Sequence, residues 1–237
     1  MPSDSLSTRA IVSRSCLLAL GWIVITAALF GVGQLVVHTR AITDFDRNVT
    51  DWVVSHRTPA LDSMMKVITW IGSWVTMAII GGVTLVLTLT KRLTIAAPVL
   101  LAVAWAGEYA MVNLVKCAVD RPRPPRDLWL VTASGASFPS GHAANATLVC
   151  TAAAIVAFLL SRRRSVHTMA ISLACLAIVA VAFSRVELGV HWTTDVVAGS
   201  LVTMVWSGAV AGLIATSVPL SVPGPVGVGP GTPPSTG

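Results

Sequence analysis

Long apolar runs dominate this chain, and its polar residues gather between them. Six runs are long enough to cross a bilayer: residues 16–37, 67–90, 93–115, 143–161, 168–184 and 196–218. A spanning helix needs roughly 20 apolar residues, with about 17 as the lower bound. Five of these six runs contain no Asp, Glu, Lys or Arg, and the third contains Glu108 alone. Backbone N–H and C=O groups surrounded by lipid must bond within their own segment, so runs of this kind are helices. The pattern predicts an all-α, polytopic membrane protein with six transmembrane helices in a bundle. Arg9 and Arg14 precede the first run as they would in a signal peptide. Its apolar stretch is longer than the about 7–15 residues such peptides use, which marks it as an uncleaved span.

The longest connection is 38–66, where Phe45, Val49, Trp52 and Val53 recur at helical spacing with Asp44, Asp46 and Asp51 between them. This suits a short helix lying at the membrane surface, or equally a plain loop. Past residue 218 the pattern ends. The last 19 residues hold six Pro, five Gly and no charge, and are expected to form a disordered tail over 219–237. Residues 1–218 are left as one six-span domain.

Composition agrees with the pattern. The chain is 54% hydrophobic and 11% charged, with a mean hydropathy of +0.79. Soluble domains carry about 25% charged residues, so an ordinary soluble fold is excluded, as is disorder over most of the chain. The net charge of +6 has no long basic run beyond Arg162-Arg163-Arg164. In so apolar a chain this reads as a cytoplasmic loop, and no nucleic-acid partner is expected. The raw count of Lys and Arg does not orient the chain. With Lys116, Arg123 and Arg185 set aside as functional, it leans towards cytoplasmic termini. Cys16, Cys117, Cys150 and Cys175 show neither a CxxC pair nor zinc spacing and read as free thiols.

Polar residues that survive in such a chain need a reason, and they cluster at four span ends. Lys116 closes the third span, followed by Arg121, Arg123 and Arg126. Pro139-Ser140-Gly141-His142 opens the fourth. Ser184-Arg185 closes the fifth, and His191 and Asp195 open the sixth. The parity of the spans puts all four clusters on one membrane face. Lys116, Arg123 and Arg185 bring three positive charges, and arginine can hold a phosphate bidentately. Ser140 is placed to cap the following helix, whose first N–H groups would face an anion. Gly141 lets the backbone come close to such a ligand. His191 and Asp195, four residues apart, share a helix face, as a nucleophile and its orienting carboxylate would. His142 is a second imidazole able to donate a proton.

Three strings carry a resemblance. KCAVDRPRP at 116–124 fits K-x6-R-P, PSGH stands at 139–142, and SRVELGVHWTTD at 184–195 fits S-R-x5-H-x3-D. Their order and content resemble the type-2 phosphatidic acid phosphatase and vanadium haloperoxidase superfamily, in its membrane lipid phosphatase branch, over about residues 60–217. The resemblance implies that His191 attacks phosphorus and becomes a phosphohistidine, that Asp195 orients it, and that His142 protonates the leaving oxygen. Lys116, Arg123, Ser140, Gly141 and Arg185 would hold the phosphate oxygens. No cofactor and no metal are expected, because three cations can stabilise the transferring group and the site clusters hold no carboxylate set suited to Mg2+.

The implied partners are the bilayer and a lipid phosphate substrate; no oligomeric state is implied. Members of the membrane branch usually place the site outward. A polyprenyl (undecaprenyl-type) diphosphate is therefore the leading substrate, in the plasma (inner) membrane. Phosphatidic acid and phosphatidylglycerophosphate are the alternatives. A lipid transporter or an inactive lipid-binding protein is the rival from another class. Glu108 is expected to bond between helices, Glu187 to tune Arg185 or face water, and Arg121 and Arg126 to assist a diphosphate or touch head groups. Trp52, Trp129 and Trp192 read as interfacial anchors, and Gly208 and Gly212 as a close helix contact.

Overall fold

In the computed structural model the backbone is described for residues 3–215 and the side chains for 12–212, so the expected tail lies outside the described residues. The described chain is helical: α1 (Ser3–His38), α2 (Arg40–Ser55), α3 (Pro59–Ile68), α4 (Trp74–Leu89), α5 (Ala96–Val119), α6 (Gly141–Leu160), α7 (Arg164–Glu187) and α8 (Thr193–Ala215). Short 3-10 turns stand at Thr69–Gly72 and Arg126–Leu128. Stretches within α1, α5, α6, α7 and α8 are each long and apolar enough to span a membrane.

The second crossing differs from the sequence expectation. The run at 67–90 is not one straight helix, because α3 with its 3-10 turn meets α4 at a bend of 46°. The physical reason is a close approach at Gly72, where an added Cβ would lie 2.4 Å from the carbonyl oxygen of His142. The break lets the chain pass over the start of α6. The connection 38–66 is likewise helical, as α2 and α3. Asp46, Thr50 and Val53 form the buried face of α2, while Phe45 and Trp52 are exposed.

The apolar core joins α1, α4, α5, α6 and α8 through Leu29, Met77, Met111, Leu148 and Trp206. Trp22 Nε1 donates to the Gly107 carbonyl at 2.7 Å and Trp206 Nε1 to that of Ala104 at 2.8 Å. Both indoles are thereby paired inside the bundle, as a buried Trp must be. Glu108 is buried here, and its Oε2 has no hydrogen-bond partner, so the expected interhelical bond is absent at that oxygen. Among the described residues nothing lies within 4 Å of a Cβ added at Gly208 or Gly212, so this pair makes no close helix contact there. Cys16, Cys117, Cys150 and Cys175 are all free.

Candidate active site

The three motif segments converge at one end of the bundle. Helix α8 sets the geometry. Its first turn begins after Trp192, which has no polar side chain able to cap the helix. Asp195 reaches back instead, and its Oδ2 accepts the Trp192 N–H at 2.9 Å. This is the carboxylate half of a capping box. It fixes the Asp195 rotamer and brings the same Oδ2 to 3.4 Å from His191 Nδ1.

The other face of the imidazole meets Arg123. Its Nη1 lies 3.0 Å from His191 Nε2. A guanidinium can only donate, so Nε2 is the acceptor and carries the lone pair, and the ring proton sits on Nδ1 towards Asp195. Arg123 is itself held by backbone carbonyls: Nη1 donates to Val190 at 2.6 Å, Nε to Gly135 at 2.9 Å and Nη2 to Ser134 at 2.8 Å. The loop between α5 and α6 thus folds around this one side chain. Burial lowers the Arg123 pKa from its usual value, with Asp195 opposing the shift. His191 is 2% exposed. Burial first, then the charges of Arg123, Arg185 and Lys116, holds its pKa well below the ordinary 6.5. These surroundings favour the uncharged imidazole.

The remaining groups surround the same point. Lys116, in the last turn of α5, donates to the Ala136 carbonyl at 2.6 Å. Arg185, in the last turn of α7, donates through Nη1 to Thr69 Oγ1 at 2.8 Å, while its buried Nε has no partner. The bend before α4 therefore positions this arginine. Ser140 caps α6, accepting the Ala143 N–H at a long 3.5 Å, and its own N–H donates to the Asp195 carbonyl at 3.0 Å. An added Cβ at Gly199 would lie 2.5 Å from the Ser140 carbonyl oxygen, so α8 and the start of α6 meet backbone to backbone. At Gly141 an added Cβ would meet only Val112, at 3.8 Å. The protein itself does not demand glycine there. The first N–H groups of α6, those of Gly141 and His142, are ones that a helix leaves for an outside acceptor.

Several expectations change. Arg121 does not face a head group: it is 4% exposed and its guanidinium is spent on two carboxylates, Asp195 and Asp46. Asp46 is fully buried beside α8. No sign of this is visible in the sequence, because α2 carries three aspartates and only the fold says which one turns inward. Glu187 faces neither water nor Arg185. It is fully buried, with Arg57 Nε at 3.8 Å, and Arg57 also donates to the carbonyls of Glu187 and Leu128. Trp129 and Trp192 donate to the carbonyls of Pro124 and Pro122 at 2.9 Å each, stitching down the motif loop. Arg126 stacks over Trp129, its guanidinium carbon 5.6 Å from the ring centroid. Together with Arg123 they border an open cleft of about 360 Å³ beside the site.

A histidine–aspartate pair with an available lone pair, a second histidine and three cations at one end of a transmembrane bundle is the equipment of a membrane-integral phosphatase. Comparison with known proteins agrees. Residues 97–218 match the PAP2 superfamily. The chain is 31% identical over 172 residues to phosphatidylglycerophosphatase B of Bacillus subtilis, covering 69% of this chain and 80% of that one. It is also similar to the crystal structure of a transmembrane PAP2-type phosphatidylglycerolphosphate phosphatase from Bacillus subtilis. That likeness has a TM-score of 0.69 at 27% identity, over 86% of this chain and 98% of the other. LpxE of Aquifex aeolicus shares the fold, with a TM-score of 0.54 at 21% identity over 70% of this chain and 93% of that one. The chain belongs to the PAP2 superfamily.

Proposed function

We propose that this phosphatase hydrolyses the phosphate monoester of a membrane lipid through a phosphohistidine on His191, with phosphatidylglycerophosphate as its leading substrate. The observation that carries the reading is the imidazole held between Asp195 and Arg123, with Nε2 as the acceptor. Nε2 attacks phosphorus as the phosphate draws Arg123 onto its own oxygens. Arg123, Arg185, Lys116 and the N–H groups of Gly141 and His142 take the charge that develops on the equatorial oxygens. His142 gives a proton to the departing lipid oxygen, then takes one from the water that cleaves the phosphohistidine. Asp195 steadies the ring while it bears positive charge. The cationic cluster provides the charge stabilisation a metal would otherwise provide.

The substrate choice follows the likeness to the two Bacillus subtilis proteins. A polyprenyl diphosphate is the second reading. The cleft beside Arg123 favours it, since Arg126 on its wall could meet a distal phosphate. The loops at the opposite end of the bundle carry Lys91, Arg92 and Arg162-Arg163-Arg164 without acidic residues. With the cations assigned to the site set aside, these loops support a cytoplasmic position for that end under the positive-inside rule, and with it an outward-facing site. Phosphate release by detergent-purified protein, with EDTA present, tests the reading on phosphatidylglycerophosphate, phosphatidic acid and a polyprenyl diphosphate. Fastest turnover of phosphatidylglycerophosphate is expected. Fastest turnover of the diphosphate transfers the assignment to the second reading, and no release from any lipid overturns both.

A further inference from the structure

Asp195 must present one oxygen to His191, and something must hold the other. Its Oδ1 accepts from Arg121 Nη1 at 2.6 Å. The second arm of that guanidinium, Nη2, donates to Asp46 Oδ2 at 2.7 Å. Asp46 in turn binds the start of α8: its Oδ1 accepts the Thr194 N–H at 2.9 Å and its Oδ2 the Thr194 hydroxyl at 2.5 Å. Arg121 Nη1 also reaches Thr194 Oγ1 at 2.8 Å, and its guanidinium carbon lies 5.6 Å from the Trp192 ring centroid. Asp46 and Asp195 are fully buried. Thus Asp46, arriving from α2, supplies the cap acceptor that Trp192 lacks. Arg121 bridges two buried carboxylates, at 2.6 Å from Asp195 and 2.7 Å from Asp46.

We propose that Arg121 and Asp46 are positioning residues of the reaction: Asp46 holds Arg121, and Arg121 fixes the Asp195 carboxylate against the nucleophile His191. Neither touches the phosphate. This deepens the proposed function and rests on it. The two-armed hold needs a planar fork, so lysine cannot replace Arg121. The chain of contacts also ties the catalytic turn to α2, whose Phe45 and Trp52 are exposed on the neighbouring stripe of that helix. The charges that bear on the His191 ring are Arg123, Arg185, Lys116 and His142, with Asp195 and, through it, Arg121.

The test is steady-state hydrolysis of a lipid phosphate by wild type, Asp46→Asn, Arg121→Gln, Arg121→Lys and the double variant Asp46→Asn/Arg121→Gln. Thermal unfolding in detergent identifies folded proteins. Asp46→Asn keeps the shape and the acceptor for Thr194 while removing the charge. We expect kcat to fall about tenfold in Asp46→Asn and about a hundredfold in Arg121→Gln, as groups acting through another do, with KM within about twofold. Arg121→Lys should not restore the rate. The double variant should be no slower than Arg121→Gln alone, since Asp46 acts through Arg121. The acid limb of kcat/KM should move up in Arg121→Gln, where no guanidinium offsets the Asp195 carboxylate beside His191. Folded variants with wild-type kcat, or with KM raised and kcat intact, overturn the inference while leaving the phosphatase reading in place. An inactive wild type overturns the phosphatase reading and this inference with it.

Discussion

A single methyl group should separate the catalytic parts. At Gly199 an added Cβ would stand 2.5 Å from the Ser140 carbonyl oxygen, 3.4 Å from its carbon and 3.4 Å from its nitrogen. The obstacle is backbone, which cannot swing aside as a flexible side chain could. Ordinary contact begins near 3.4 Å, so Gly199→Ala must push α8 and the start of α6 apart by about 0.9 Å. The bond strained most directly is Ser140 N–H to the Asp195 carbonyl, 3.0 Å long. That bond fixes Ser140, Gly141 and His142 relative to His191 and Asp195. Misplacing reacting groups by about 1 Å can cost around a hundredfold in rate, and overpacking typically costs about 1–3 kcal/mol of stability. Gly199→Ala is therefore expected to lose about a hundredfold in kcat/KM while still unfolding cooperatively in detergent at a lower temperature. The matched control is Gly208→Ala on the same helix, where nothing lies within 4 Å of the new atom. It should leave rate and unfolding temperature unchanged. Wild-type kcat/KM in Gly199→Ala would refute the reasoning.

Other outcomes follow from the same geometry. The acid limb of kcat/KM should fall below pH 6.5: burial and the neighbouring cations lower the His191 pKa, so the nucleophile stays unprotonated and active until the pH drops under the usual imidazole range. A limb above 6.5 would contradict this. Arg57→Ala leaves Glu187 buried without its ion partner and frees the Leu128 carbonyl. Unfolding in detergent should show a loss of about 3 kcal/mol. His142→Ala should lower kcat by about 10² to 10⁴-fold on a lipid with a poor leaving group, and less when the leaving group needs no proton. Equal losses on both substrates would remove the general-acid role.

The spans were legible because lipid leaves a chain few options. Four of the five runs without a charged side chain each fall, over their described residues and to within one residue, in a single helix. Hydropathy marks the second crossing at 67–90 but does not register its bend. The break at Gly72 and Ser73 answers to the His142 carbonyl, a contact between residues far apart in sequence. The motif residues were legible as types and spacings, and parity alone put them on one face. What the sequence could not show was how each is held. Ser140 had a visible capping role, but its N–H goes to Asp195, across the gap between two helices. Arg121 stands two residues from Arg123 and looks like another phosphate ligand. Burial against Asp46 and Asp195 gives it a different task.

The central claim is that phosphorus is transferred to His191. Mixing a phosphorus-labelled lipid substrate with enzyme, quenching in alkali within one turnover and locating the label by peptide mass spectrometry tests it directly, because phosphohistidine survives base. The account expects label on His191 that disappears on a chase with unlabelled substrate, and none in His191→Ala. Turnover with no labelled protein, or label on any other residue, would contradict it.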